Sequence, residues 1–355
     1  MLALPGRAED MGAIVDGLDL ESIQQRADSL DSGISVKETV LAIISGETRL
    51  DADFLKDTWE MVNGKVFGRV RQVAAAFLMP LMAAAVFRRL STRDRGTENM
   101  VCACACTGIF IKIMTDSTSA ARQLITGIAE LMEAAVPVLT GLSALGGGTA
   151  SAALLTPAAT LAGEMIVRAL SEWGLALCGA AAICACATAI GPSLRLDGLF
   201  SLLRRTVQVG AGLMLALFAG ILKVQGMLGA SFDSAAVKTA RFAVDKLVPA
   251  VGGGIADAMD AAISSVLLIQ NAVGVTGMLV IVAACAAPIL QLGATLFAMR
   301  LARAVAQPVA DNALLDAVER FCDVIRLLIV LCMAAMTLGL ILAGAAIGAG
   351  RCIAG

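Results

Sequence analysis

The sequence contains no histidine and no tyrosine, and aromatic residues make up only 4% of it. Without histidine there is no Ser-His or Cys-His nucleophile pair, no H-E-x-x-H zinc helix and no imidazole proton relay. No G-x-x-x-x-G-K-[ST] loop is present to cradle phosphate. Hydrolysis of ATP by this chain is therefore not expected, and the chain is read as a non-enzyme. A nucleic-acid surface wants a basic face with stacking rings. A net charge of −2 and few aromatics offer neither. Charged residues are scarce as well, at 16%, well below the quarter typical of a water-soluble domain.

What fills the space is apolar. Hydrophobic residues make up 58% of the 355 positions, and the mean hydropathy is +0.84. A chain of this composition would expose too much apolar surface in water, so lipid is its natural solvent. Ten cysteines are present. Eight of them (Cys102, Cys104, Cys106, Cys178, Cys184, Cys186, Cys285 and Cys332) lie within apolar stretches and read as small core side chains rather than a disulfide framework. Cys102, Cys104 and Cys106 alternate with alanine. On a helix, positions two apart point about 200° away from each other, so three sulfurs at this spacing do not converge on a metal. Neither a metal site nor a cofactor is expected.

Residues 1–70 are the polar part, with acidic Glu21, Asp28, Asp31, Glu38, Glu47, Asp51, Asp53, Asp57 and Glu60. Leu20, Ile23, Ile34, Val40, Leu41 and Ile44 recur at helical spacing, which predicts two or three short amphipathic helices, one of them ended by Gly46. They form either a small soluble cap or a docking surface. The first twenty residues hold no apolar core of signal-peptide length.

Apolar stretches follow at about 73–87, 100–114, 134–167, 175–190, 207–228, 248–299 and 327–347, with a more polar segment at 229–246. The stretch 134–167 is too long for one crossing, and a break is expected at Gly146-Gly147-Gly148 and again at Pro157. The stretch 248–299 is also too long, with a break expected near Gly274 to Gly277. Gly191-Pro192 ends the fourth stretch. Arginines cluster near 88–95, 195–205 and 300–326, and the positive-inside rule makes these loops cytoplasmic and the N-terminal region external. Lys238, Arg241 and Lys246 then fall outside, against the rule. Val136-Pro137 leading into Gly146–Gly148, and Val248-Pro249 leading into Gly252–Gly254, suggest an internal repeat over about 134–228 and 247–350, within a transmembrane domain at 71–355. The fold class predicted is all-α: a polytopic transmembrane bundle with Gly/Pro-broken or re-entrant segments and a small soluble helical region at its N-terminus.

The candidate residues follow from these breaks. Pro137, Pro249 and Pro288 are expected to fix breaks, and Gly147, Gly252, Gly253 and Gly274 to permit close backbone approach at membrane depth. Asn271 is costly in an apolar stretch unless it bonds across helices. Helix packing and kinking is the other role open to each of these. Asp257 and Asp260, three apart, share a helix face and suit a cap or a polar vestibule.

One longer run is more specific. It reads Phe218-Ala-Gly-Ile-Leu-Lys-Val-Gln225-Gly226-Met-Leu-Gly-Ala, then Phe232-Asp233-Ser-Ala-Ala-Val-Lys238-Thr-Ala-Arg241, and continues to Pro249-Ala-Val-Gly252-Gly253. Leu268-Ile-Gln270-Asn271-Ala-Val-Gly274 and Ala287-Pro288-Ile-Leu-Gln291 follow, with Leu145 to Ser151 and Ile43 to Glu47 as further matches. This pattern resembles the sporulation stage III protein AE family over nearly the whole chain, and it adds Gln225, Gly226, Asp233 and Lys238 to the candidates. The sequence departs from the family pattern in lacking a signal-like segment at its start, and in carrying Gln270 and Gln291 where lysine is expected. The resemblance implies a mother-cell membrane component of the channel complex that joins mother cell and forespore. The partners it implies are other membrane and ring-forming subunits, a secretion-type ATPase and a forespore protein, besides the lipid bilayer itself. From the residues alone, a stand-alone secondary transporter or permease remains an open alternative, and an intramembrane enzyme a weaker one.

Overall fold

Apolar runs without water to solvate their backbone must close every hydrogen bond within the segment, and helices are the way this chain does it. The computed structural model describes residues 20–30, 33–45, 66–83, 95–145, 161–163, 165–191, 196–247, 252–308 and 312–351. Side chains are described throughout these segments except at 95–99, 139, 140, 143, 225–247, 252–263 and 345–351. The described residues form eight helical elements and no strand: α1 (Leu20–Ser29), α2 (Val36–Ser45), α3 (Val66–Ala83), α4 (Arg95–Leu145), α5 (Leu161–Ile190, with a π-helical turn at Ala169–Gly174), α6 (Asp197–Leu247), α7 (Gly252–Ala306) and α8 (Asn312–Arg351). Six of these, α3 to α8, are long and apolar enough to cross a membrane. The chain is an all-α, multi-pass membrane protein.

Several expected breaks are absent. α4 continues through Pro137 to Leu145, and α7 runs unbroken past Gly274, Gly277 and Pro288. A proline in a helix forfeits one backbone bond. A full break in lipid would strand several, so the continuous helix is cheaper where neighbours pack against it. The glycines at the start of α7, Gly252 to Gly254, are helical rather than unwound. Gly147, Pro157 and Pro249 lie outside the described residues, so the breaks expected there do too. The segment 229–246, set apart by its polarity, is the continuation of α6. Gly191 ends α5 with a backbone bond to Ala187, where the sequence places the stop.

α8 is the centre. It packs against α7 most extensively, and also against α4, α5 and α6. Buried positions run almost all round it, from Leu314 to Ala343. In lipid there is no hydrophobic drive between helices, so close packing of small residues must supply the adhesion. α8 accordingly buries Ala317, Cys322, Cys332, Ala334 and Ala335, with Cys285 of α7 and Cys178 of α5 equally buried nearby. Gly339 lets Ile281 of α7 and Ile128 of α4 approach: a Cβ there would lie 3.0 Å and 3.3 Å from their side chains. The rings of Phe110 (α4) and Phe321 (α8) stack with centroids 4.0 Å apart.

These contacts fix the directions. Phe110 lies level with Phe321 and Ile128 with Gly339, the same offset at both points, so α4 and α8 run parallel and in register. Arg303 of α7 meets Glu319 near the start of α8, while Met278 of α7 meets Gly344, so α7 runs antiparallel to α8. Asp197 and Arg204 of α6 meet Arg320 and Asp323 of α8. α6 therefore starts from the end where α7 finishes. Gly163 of α5 lies near Met132 of α4, so α5 descends to that same end. The arginine-bearing ends of α6, α7 and α8 gather on one side of the bundle, and the N-terminal helices lie toward the other.

Candidate functional site

The first distinctive feature is the seat of the N-terminal helices. α1 packs on α4, and α2 on α7. Leu20, Ile23, Ala27, Val36 and Val40 are buried in the same apolar core as the long helices, and Ile34 and Ile44 pack against it. Leu41, by contrast, is exposed. The amphipathic spacing read from residues 20–44 thus marks a cap fastened to the bundle. Gly33 turns the chain between α1 and α2 at φ +65°, a left-handed conformation that suits glycine. Gln24 secures the turn. Its amide donates to the Ile34 carbonyl at 3.2 Å, and its Oε1 accepts from the Val36 backbone N–H at 2.6 Å. That N–H belongs to the first turn of α2 and has no partner within the helix. Leu30 seats directly on Gly127 of α4, with no room for a Cβ. Arg26 pairs with Glu130 at 2.7 Å, both about half exposed.

Beneath this cap is a small apolar cleft lined by Ile23 and Val36 from the cap, Leu131 and Met132 from α4, Gly274 and Gly277 from α7, and Gly339 and Ala343 from α8. The glycines leave space where side chains would fill it. Gly274 is buried here, Asn271 is half-buried three residues earlier on α7, and Gln270 is buried beside it.

The second feature is ionic and lies at the opposite end. Asp323 of α8 accepts from Arg204 of α6 at 2.9 Å and from Arg326 at 2.6 Å, and is largely buried between them, at 13% exposure. Arg303 pairs with Glu319 at 2.8 Å, and its Nε donates to the Leu315 carbonyl at 3.2 Å. Arg320 pairs with Asp197 at 2.8 Å. Three helices are thus pinned together by charge at the end of the bundle away from the cap.

The sequence-predicted residues divide between these features and the spaces beyond them. Gly274 and Asn271 come together at the cap end. Pro288 lies farther down α7 and Pro137 on the exposed side of α4, so neither joins them. Gln225, Gly226, Asp233 and Lys238 stand on the second half of α6, and Gly252 and Gly253 on the first turn of α7. Cys102 and Cys106 turn inward while Cys104 turns outward, the divergence that their spacing dictates. Sequence reasoning missed the ion pairs on Asp323 and Glu130. The signal for the first was available, since Asp316, Glu319, Arg320, Asp323 and Arg326 recur on α8 at helical spacing.

No solved structure resembles the chain significantly. Stage III sporulation protein AE of Bacillus subtilis (strain 168) is similar, at 26% identity over 199 residues. The match covers 56% of this chain and spans half the length of that relative. The profile of the family described as Stage III sporulation protein AE matches residues 35–350. The chain belongs to the stage III sporulation protein AE family.

Proposed function

We propose that this chain is a membrane-embedded component of the channel complex joining mother cell and forespore during endospore formation, seated in the mother-cell membrane around the forespore. Family membership supports a sporulation role. The geometric observation that carries the complex reading is the reach of α6 and α7. α6 stays helical for 51 residues, from Asp197 to Leu247, about 75 Å at 1.5 Å per residue and far more than one crossing needs. α7 begins only five residues later, at Gly252. The second half of α6 carries Asp233, Lys238, Arg241, Asp245 and Lys246, with Asp257 and Asp260 on the returning helix. So many charges on helix beyond a crossing length belong in water. A charged helical arm standing off the membrane is what a subunit needs to grip soluble partners. A transporter acting alone has no such requirement.

On this reading the partners are the other membrane and ring-forming subunits, a secretion-type ATPase on the arginine-rich face and a forespore protein on the arm's side. The chain does no chemistry and holds no cofactor. The test is co-purification of a tagged chain from sporulating cells, beside a variant carrying Lys238→Glu and Arg241→Glu. The expected result is that the parent brings down partner subunits and the variant, at equal membrane abundance, loses at least one. Transport by the purified chain alone in liposomes, with no co-purifying subunit, overturns the reading.

A further inference from the structure

On three helices a run without charge begins or ends at one level. On α8 it is 327–350, starting just past Arg326. On α6 it is 206–222, starting just past Arg205. On α7, which runs the other way, it is 261–299 and stops at Arg300. Contacts between the helices set these ends side by side. Arg204 meets Asp323, so Arg205 is level with Val324. Arg303 meets Glu319, so Arg300, one turn back, is level with Cys322. Within about one helical turn, three helices change from charged to charge-free. This level is an edge of the membrane.

The acids at this edge are taken. Asp323 accepts from Arg204 and Arg326, Glu319 pairs with Arg303, and Asp197 pairs with Arg320. Asp316 stands two turns beyond Asp323, away from the charge-free runs. Arg205 and Arg300 are exposed, and among the described residues none makes an ion pair with either. Neither has an acid one turn away on its own helix. Their surroundings are apolar. Arg205 shares an outward face with Val209 and Leu213, and Arg300 with Phe297 and Leu290, all exposed. Each arginine thus tops an apolar strip that descends into the charge-free run.

A guanidinium so placed lays its stem on the strip and sends its head to the interface. There it meets phosphate, which its planar fork holds with two bonds. A zwitterionic headgroup brings its own ammonium to balance that phosphate. An anionic headgroup does not, so it supplies the countercharge that the acids at this edge, already paired, do not. We infer that this end of the bundle binds anionic phospholipid of the adjoining leaflet. One lipid sets its phosphate diester on Arg205 and its chains along Val209 and Leu213. Another sets its phosphate on Arg300 and its chains along Phe297 and Leu290. The inference rests on the register of α6, α7 and α8 and not on the complex reading.

The test uses the purified full chain in mixed vesicles of phosphatidylcholine and phosphatidylglycerol, with one or the other lipid brominated on its chains. Trp59 and Trp173, the two tryptophans of the sequence, are changed to Phe. A single tryptophan is then placed at Val209, at Phe297 or at Ile183, an exposed position on α5 with no charged residue within two turns. Bromine quenches tryptophan on contact, so each position reports the lipid lying against it. One arginine near the surface is worth about a fivefold preference for anionic lipid. Val209→Trp and Phe297→Trp are therefore expected to show phosphatidylglycerol bound about fivefold tighter than phosphatidylcholine. Ile183→Trp is expected to show no preference. Arg205→Gln is expected to abolish the preference at Val209→Trp alone, and Arg300→Gln at Phe297→Trp alone. Arg205→Lys and Arg300→Lys keep the charge and are expected to keep the preference. Should a Gln variant fail to insert, the parent in high salt decides, since a phosphate contact at the surface weakens there.

Equal quenching by the two lipids in the parent overturns the inference. So does a preference that survives the matching Gln variant, or that appears equally at Ile183→Trp as an attraction of the whole surface. Reversal by added inorganic phosphate makes this a site for the free anion and overturns the lipid assignment. In sporulating cells, benzoylphenylalanine in place of Val209 is expected to form no protein adduct on illumination. An adduct with another polypeptide in high yield means that a partner's acids cover Arg205, with the same consequence.

Discussion

Asp323 of α8 and Arg204 of α6 are 119 residues apart in sequence and 2.9 Å apart in space. The carboxylate also takes Arg326 of its own helix at 2.6 Å, so one acid balances two guanidinium groups. Removing it leaves both cations facing each other at the edge of the spans. Asp323→Ala is expected to destabilise the bundle by about 1–3 kcal/mol, between an exposed pair and a buried one. Asp323→Glu is expected to recover part of the loss. Thermal melting of the detergent-solubilised protein measures this, and an unchanged melting temperature for Asp323→Ala refutes it.

The cap presents a contrast of two contacts. Arg26 and Glu130 are each about half exposed, so Arg26→Ala is expected to cost less than about 1 kcal/mol and to leave α1 seated. Leu30 on Gly127 is a steric contact with no slack. Gly127→Leu is expected to expel Leu30 and free α1 from α4, at a cost of about 1–3 kcal/mol. Limited trypsin digestion at Arg26, on α1 itself, reads this directly. The expectation fails if Gly127→Leu is cut no faster than the parent.

At Gly339 the size of the added group decides the sign. A Cβ there meets the terminal methyl of Ile281 at 3.0 Å and Cγ2 of Ile128 at 3.3 Å. The Ile281 contact is the flexible end of a side chain, and alanine regains about 1 kcal/mol of helix propensity over glycine. Gly339→Ala is therefore expected to be nearly neutral. Gly339→Leu overpacks the junction of α4, α7 and α8 and is expected to cost about 1–3 kcal/mol. Melting temperatures in the same detergent separate the two, and equal effects refute the argument.

Orientation is testable from outside. The arginine-bearing ends of α6, α7 and α8 gather on one side, and the positive-inside rule sets that side in the cytoplasm. In membrane vesicles of known sidedness, an impermeant thiol reagent on the non-cytoplasmic side is expected to reach Ser231→Cys and to miss Ser193→Cys. The opposite labelling inverts the orientation and leaves the fold untouched.

How much of this was legible beforehand depends on what each signal averages. Composition and run length gave the membrane class and the α5 stop at Gly191, because lipid imposes both residue by residue. They failed at Gly274–Gly277 and Pro288, where glycine and proline read as breaks in isolation but stand within a continuous helix packed against its neighbours. They also failed between 115 and 133. An average over consecutive residues cannot see that Ala121, Leu124 and Ile125 point one way and Arg122 and Gln123 the other. The cap was visible as amphipathic spacing, yet nothing in that spacing says that Leu30 would find Gly127. That pairing joins residues almost a hundred positions apart.

The position of α8 at the centre of the bundle has a consequence for biogenesis. The helix on which α4, α5, α6 and α7 all lean is translated after every one of them. Until it enters the bilayer, those four have no common surface to pack against, and the carboxylate that balances Arg204 has not yet been made. Until then those four hold only the contacts that α4 makes with α5 and α7, and α6 with the same two helices. The packing round α8, the most extensive in the bundle, forms only in that last step. Mutations that slow delivery of the segment from Asn312 onward would then lower the yield of assembled protein without touching the stability of what does assemble.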